Sequence, residues 1–515
     1  MGRNHAAHSH TPVAIVGAGP VGLSLALGLA RQGVRSVLLE QKRTTSQTSK
    51  APALHVRTRE VFQQWGVEDR FLDAGTLLRK VMLHSPEPGR HPLGSVDFSE
   101  LEVEANLPGL LILEQSHTER LLLEAVRESG LCKVRFGAEV VELTQDEQEV
   151  RLTIREGGEE CALAAEFVVG CDGASSFVRE VLELPFEGIT YSVRPMLADV
   201  RLEDERDALP WPRTYNGRGG ITTGIRLDPG LWRIIHLERG DPGKGEEVSE
   251  EEVRDRMEEV LGEGPFEVVW ASRFRIHLRS APRFRVGRVV LAGDAAHAHS
   301  PAGGLGMNGG IQDAHNLAWK LAYALRGGDT ERLLDSYEVE RRAVIVESVS
   351  RYTDLITRLF LQAPVIVREG AIFLFRSLLS ISRLRRMNLR RTAMLDLDYP
   401  ASPLLQRGEQ AAGVRLPNAL LRSPEGEAVR LYELLPNAPV ILDVAEARVF
   451  EAELPAEEVV RIGPGGYIDP SGLLRGLLEE KDGWILVRPD GHVAWARDHL
   501  DGIGDAVRHA LGAQS

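Results

Sequence analysis

The chain of 515 residues holds only three cysteines, Cys132, Cys161 and Cys171, and none belongs to a CxxC pair. Three cysteines form no disulfide framework, which excludes a small cross-linked secreted scaffold and points to a reducing compartment. Basic residues are the minority: 61 Lys and Arg against 75 Asp and Glu give a formal net charge of -14. A global polyanion is repelled by phosphate backbones, so no nucleic-acid partner is expected. The opening residues, MGRNHAAHSHTP, carry no apolar run of the signal-peptide kind. The greasiest stretch, 359–384, is interrupted by Gln362, Arg368, Glu369 and Arg376. A spanning helix needs about 20 mostly apolar residues, so no membrane span is expected. Internal repeats and low-complexity tracts are also missing. The expectation is a soluble, cytoplasmic, multi-domain protein, and 43% hydrophobic content provides for a large core.

The sequence does have glycine in telling places. VAIVGAGPVGLSLALGLARQGVRSVLLE, Val13 to Glu40, reads as a buried strand, a turn, an apolar helix stopped at Gly33, and a second strand. Gly17, Gly19 and Gly22, with Pro20 among them, form GxGxxG at that turn. The first glycine permits the tight turn, the second lets a pyrophosphate approach the backbone, and the third allows close helix packing. Glu40, followed by Gln41, ends the second strand, where an acid can accept both hydroxyls of an adenosine ribose. Glu40 alone does not choose between NAD and FAD.

Two further glycine–aspartate sites lie downstream. FVVGCDGASSFVRE places Asp172 and Gly173 after a strand, with Arg179 beyond them. VGRVVLAGDAAHAHSPAGGLGMNGGIQDAHNLAWKLA places Gly293 and Asp294 after another strand. Pro301, Gly304, Gly306, Met307 and Asn308 follow in a glycine run that lets backbone lie close against a flat ring. The next helix has a buried stripe of Ile311, Ala314, Ala318, Leu321, Ala322 and Leu325, and its N-terminus would favour a nearby anion. His297 and His299 lack a third ligand at suitable spacing, so no metal is expected.

These three segments resemble, in order and over roughly residues 12–400, the GxGxxG, DG and GD motifs of the class A flavoprotein monooxygenases. That superfamily includes para-hydroxybenzoate hydroxylase, phenol hydroxylase and polyketide aromatic hydroxylases. The resemblance implies FAD, with Asp294 on the flavin ribityl chain and Asp172 and Arg179 on a path shared by flavin and nicotinamide phosphates. Pro301 to Asn308 would line the isoalloxazine. Gln115 matches a glutamine that reaches the cofactor, whereas Lys50 stands where the family carries an arginine, keeping charge but losing bidentate geometry. The implied reaction is hydroxylation of an aromatic or polycyclic aromatic substrate, with NADPH or NADH as transient reductant and O2 delivered through a flavin C4a-hydroperoxide. Baeyer–Villiger oxygenation, and a flavoprotein that binds a reactive intermediate without oxidising it, are the alternatives. A halogenase is disfavoured because Trp232 is followed by RIIHL rather than completing WxWxIP. A simple NAD dehydrogenase would not need the downstream DG and GD segments.

The expected fold class is α/β. After a flexible 1–11, a Rossmann-like FAD-binding domain is assembled from 12–80, 114–184 and 286–400. A β-sheet substrate domain comprises 81–113 and 185–285. By resemblance, 408–515 is a thioredoxin-like domain, without redox cysteines because none follows Cys171, and with a structural role that could include homodimerisation. No catalytic residue is assigned. Tyr215, Thr222, Trp232, Arg233, His236 and Arg273 are substrate-pocket candidates by chemistry, and strand alternation turns about half of such residues away. The segment AIFLFRSLLSISRLRRMNLRR could lie on an anionic membrane, but the favoured reading is a bracing helix whose arginines pair with acidic surface.

Overall fold

Alternation between buried strands and helices builds the first layer. A computed structural model describes residues 9–46, 51–84, 94–107, 109–217, 220–240, 247–300, 303–363, 365–405, 411–446 and 459–512. Strand Ser9–Val16 leads into helix Pro20–Arg31 and returns through strand Ser36–Glu40, paired in parallel with the first. Glu159–Gly170 lies on the first strand's other side and Val289–Leu291 lies beyond it, while Cys132–Phe136 flanks Ser36–Glu40, all in parallel register. Segments far apart in sequence thus form one sheet, which explains why the cofactor motifs are scattered.

Parallel strands need helical crossovers that bury the sheet. Helix Pro20–Arg31 packs between Gln115–Ser129 and the long helix Leu305–Leu325. The fit is tight: a Cβ at Gly28 would lie 2.8 Å from the Ala318 Cβ. The long helix begins at Leu305, earlier than a helix starting after the glycine run, because Gly304 caps it in the left-handed region at φ 68°. Met307 and Asn308 are therefore in its first turns.

The middle of the chain forms a seven-stranded sheet that includes Val193–Arg201, Arg213–Gly217, Gly220–Asp228, Leu231–Arg239 and Glu267–Arg273. Lys80–His84 and Gly94–Asp97 join its far edge, whereas Leu110–Ile112 pairs with Ala53–Leu54 and Thr76–Leu78. Helix Glu250–Leu261 covers one sheet face through Val253, Met257 and Val260, which pack on Met196, Ala198, Val200, Trp232 and Ile234. The C-terminal region has its own core around a four-stranded sheet containing Val440–Val444 and Gly483–Val487.

Among the described residues no helix is long and apolar enough to cross a membrane. The basic helix Ser382–Thr392 spends its charge internally: Arg385 pairs with Glu100, Arg386 and Arg390 with Glu104, and Arg391 with Asp396. The arginines thus pair with acidic groups as expected, whereas Phe373, Leu374 and Leu378 of the preceding helix, Val365–Leu379, are exposed.

Candidate functional site: a dinucleotide cradle beside a sheet

The glycine turn packs as its three positions require. Gly17 has φ +103°, and a Cβ there would meet the Cys171 carbonyl at 2.5 Å. A Cβ on Gly22 would fall 1.9 Å from the Gly17 carbonyl, whereas one on Gly19 meets nothing within 4 Å. The first and third glycines are thus demanded by packing, and the second faces open space. Gly19 also caps helix Pro20–Arg31 with no side chain accepting from its first amides, and Pro20 occupies the start of the helix. Uncapped N-terminal amides are an anion site. Glu40 is aimed at the same turn: its Oε2 accepts from Ala18 N at 2.8 Å and its Oε1 from Lys42 N at 2.9 Å. Beyond it opens a cavity of about 660 Å³ whose lining includes Gln41, Lys42, Arg43 and Arg155.

The GD turn is pressed onto this cradle. Gly293 sits at φ +60°, and a Cβ there would meet Val21 at 2.8 Å. Gly310 of the long helix closes on Val21 from another side, where a Cβ would lie at 2.5 Å. Asp294 itself is exposed. The turn is fixed from behind by Asp313, whose Oδ2 accepts from Gly293 N at 3.0 Å and pairs with His297 Nε2 at 2.6 Å. Arg341 Nε donates to Oδ1 at 2.7 Å. Burial alone would raise the Asp313 pKa, but His297 and Arg341 outweigh it and hold the carboxyl at about 2.

The start of the long helix is pinned by Asn308. Its Oδ1 accepts from His55 N at 2.8 Å, and its Nδ2 donates to Ala53 O at 2.9 Å and Gly304 O at 2.8 Å. Gly306 faces open space, Met307 is half-buried, and Pro301 lies outside the described residues, as does Lys50. Burial lowers His55 and His299 to about 4, so both imidazoles are neutral. Neither ring nitrogen of His299 has a partner at hydrogen-bond geometry.

The DG segment faces both turns. Asp172 Oδ2 accepts from Val178 N at 3.1 Å, its Oδ1 is buried without a partner at hydrogen-bond geometry, and burial raises its pKa. Gly173 has φ +82° with open space beside it. Arg179 is turned inward, donating to Ala295 O at 3.0 Å and Ala174 O at 2.8 Å, so it ties the DG segment to the GD turn. Gln115 begins its helix and donates to Glu119 Oε1 at 2.8 Å, and Glu119 Oε2 in turn accepts from Ser46 N at 2.8 Å.

The sheet candidates divide by face. Tyr215, Thr222, His236, Met196 and Arg273 are successive cross-strand partners in one row. That row faces helix Glu250–Leu261: Thr222 Oγ1 bonds His236 Nδ1 at 2.9 Å and Glu259 Oε2 at 2.6 Å, and Arg273 pairs with Glu252. Trp232 is buried on the same side and donates to Asp207 Oδ1 at 2.9 Å. Arg233 points to the other face, locked to Asp199 by two bonds of 2.8 Å. Around it lie half-buried Thr214, Thr223, Ile225 and Ile235. Composition did not single these out, but period-two alternation does once His236 is placed against the helix. Where helix Gln115–Ser129 begins, Glu114, His117 and Asp228 bring ligand-type atoms within 4.8 Å of one another.

An uncapped helix start, three glycines with open flanks and an exposed Asp294 leave room for a dinucleotide. Fold and turns are those of a dinucleotide-binding protein. The chain matches the FAD binding domain family over residues 10–352 and the aromatic-ring hydroxylase C-terminal family over 409–514. It belongs to the class A flavoprotein monooxygenases, the FAD-dependent aromatic hydroxylases. It is 33% identical over 522 residues to 12-dehydrotetracycline 5-monooxygenase/anhydrotetracycline 6-monooxygenase of Streptomyces rimosus, covering 97% of this chain and 98% of that one. It is similar to the flavin-dependent monooxygenase PieE in complex with FAD and substrate, at TM-score 0.80 and 27% identity over 98% of this chain and 99% of that chain. The Diels-Alderase PyrE3 of pyrroindomycin biosynthesis is also similar, at TM-score 0.79 and 28% identity over 98% and 99%.

Proposed function

We propose that this flavin-dependent monooxygenase hydroxylates a polycyclic, polyketide-like aromatic held between the cofactor cradle and the Arg233 face of the sheet. NADPH or NADH is the reductant, O2 the co-substrate, and the cytoplasm the compartment that the three unpaired cysteines favour. The observation that carries the reading is the convergence of three distant turns: Gly17 against Cys171, Gly293 against Val21, and Ala292 N on Gly170 O at 3.0 Å. When bound there, FAD supplies the oxygen chemistry. The chain's own work is to bind and orient. Gly19 and the helix start receive the pyrophosphate, Glu40 the ribose and Asp294 the ribityl chain. Asp172 stands on the phosphate path, while Gly304 to Asn308 back the ring. Ile225 and Ile235 supply apolar surface beside the bonded Thr214–Thr223 pair and the Arg233–Asp199 pair, a mixed wall on which an aromatic ring would lie.

The test mixes the yellow protein with NADPH and a panel of phenols, naphthoquinones and anthraquinones. Ligand-stimulated NADPH oxidation with a product carrying one added oxygen is the expected result. A second reading is favoured by the Diels-Alderase relative, which shares the fold: binding of a reactive intermediate without oxidation. It predicts tight ligand binding with no stimulation by any member of the panel.

A further inference from the structure

The C-terminal domain meets the flavin domain through a buried ionic network, with Leu511 adding an apolar contact on the flavin-domain core. Its hairpin turn, Arg488 to His492, is buried against the long helix and against helix Thr330–Arg342. Arg488 donates to Glu340 Oε1 at 2.7 Å and Oε2 at 2.9 Å. Glu340 also binds Lys320 Nζ at 2.6 Å and Asn316 Nδ2 at 2.7 Å, and Asn316 reaches Asp490 Oδ2 at 3.0 Å. Glu340 is the residue before Arg341, so this arm fixes the helix end from which Arg341 projects.

A second arm reaches Arg341 directly. Tyr399 N donates to Gly413 O at 2.9 Å, which ties Tyr399 to the C-terminal region. Its ring stacks on His492 with centroids 4.1 Å apart, and the Arg488 guanidinium lies 5.4 Å from the same ring. The Tyr399 hydroxyl accepts from Arg341 Nη1 at 3.0 Å. Arg341 uses its remaining donors on Asp313 Oδ1 at 2.7 Å and Gly309 O at 3.2 Å. Asp313 then holds the Gly293 amide and His297. A fully buried carboxylate keeps its charge only while its cationic partner is in place, so the geometry of the GD turn depends on where Arg341 is held.

We propose that the Arg488–His492 turn is a positioning element of the cofactor site, acting through Tyr399 and Arg341 on the Gly293–Asp294 turn. The C-terminal domain is then part of the apparatus that shapes FAD binding, although none of its described residues lies in the cradle. The inference rests on the reading that the GD turn holds FAD.

Two variants of the full chain test it. Tyr399→Phe removes only the hydroxyl that Arg341 uses and keeps the ring stack; His492→Leu removes the stack and keeps the hydroxyl. Deflavinated protein is titrated with FAD by quenching of flavin fluorescence, alongside the thermal midpoint of the FAD-free form and the visible circular dichroism of the bound flavin. Both variants should bind FAD about threefold to tenfold more weakly, the range a single hydrogen bond supports. Their visible dichroism should change, while the FAD-free forms unfold within a few degrees of wild type. A wild-type Kd in either variant, with or without lost stability, overturns the proposal and leaves the seam purely structural. Asp294→Ala separates the two levels: if it keeps wild-type FAD affinity, the site reading itself fails.

Discussion

The cradle and the domain seam are built from the same polar residue types and finished in opposite ways. In the cradle, polar groups are left with room: Gly19 and Gly306 have open flanks, the first helix has no side-chain cap, and Asp172 Oδ1 lacks a partner. At the seam the charges close on one another: Glu340 on Arg488, Lys320 and Asn316, and Glu60 on Arg57 and Arg415. An unsatisfied buried polar group costs about 1–3 kcal/mol, a cost that a bound ligand would offset at Asp172. A closed ionic network binds nothing further and instead fixes two bodies in one arrangement. The difference lies in the charged groups: the cradle leaves them room, and the seam pairs them off.

The largest expected effect comes from opening the closed region. Glu340→Ala strands Lys320 without its carboxylate and leaves Arg488 only Asp490, and breaking such a buried pair costs about 3–5 kcal/mol. The thermal midpoint of the holoprotein should fall by many degrees, and a change of only a degree or two would break the comparison.

Acid should act next, on neutral imidazoles in the cradle, at the seam and under the helix that covers the sheet. Burial holds His55 and His299 at about 4 and His236 and His315 at about 3. An unfolded histidine titrates near 6.5, so below that pH the unfolded chain binds protons that the native chain does not. Stability rises with pH wherever the unfolded state binds more protons, and so it must drop as pH falls from about 6.5 toward about 4. The Asp313 carboxylate has the lowered pKa of an ion-paired acid; its contribution is lost only lower still, as pH approaches about 2. A midpoint flat between about pH 7 and about 4.5 would contradict the burial of these rings.

The two faces of the sheet give a smaller, sharper contrast. Thr222→Val removes the hydroxyl shared by His236 and Glu259, at a cost of about 1–3 kcal/mol, and should leave the substrate KM unchanged. Thr223→Val, on the opposite face, should shift KM with little loss of stability. The reverse pattern would place the pocket under helix Glu250–Leu261. Smallest of all, Arg120→Ala loses only an exposed helical pair with Glu124 and should change stability by about 0.3–0.5 kcal/mol at most.

The three turns were legible in the sequence because their chemistry is local. Each needs glycine at a left-handed or crowded position next to a strand end, and Gly17, Gly173 and Gly293 all have positive φ. The acidic helix was legible to its ends, since Ser249 caps it and apolar positions recur through Leu261. What depends on docking was not legible. The long helix shows an apolar stripe, yet Gln312, Asp313, His315, Asn316 and Lys320 on its other faces are buried too. Helix Val56–Gln64 has the composition of a solvated surface, but Arg57, Gln63 and Gln64 are buried beneath the C-terminal domain, with Gln64 on Pro489 O and Asn418 on Gln63. Periodicity reports one helix and its nearest layer; it carries no information about a domain that arrives three hundred residues later. The sheet candidates failed to separate by face for a related reason, since alternation fixes relative orientation and only the covering helix fixes which side is which.

The central claim is that the converged turns hold FAD and that Asp294, exposed at their meeting point, is its side-chain anchor. The most direct measurement is the flavin content of Asp294→Ala purified in parallel with wild type and read from visible absorbance against protein concentration. The account predicts a folded, colourless protein that regains flavin only at high added FAD. A variant that purifies fully yellow would contradict it.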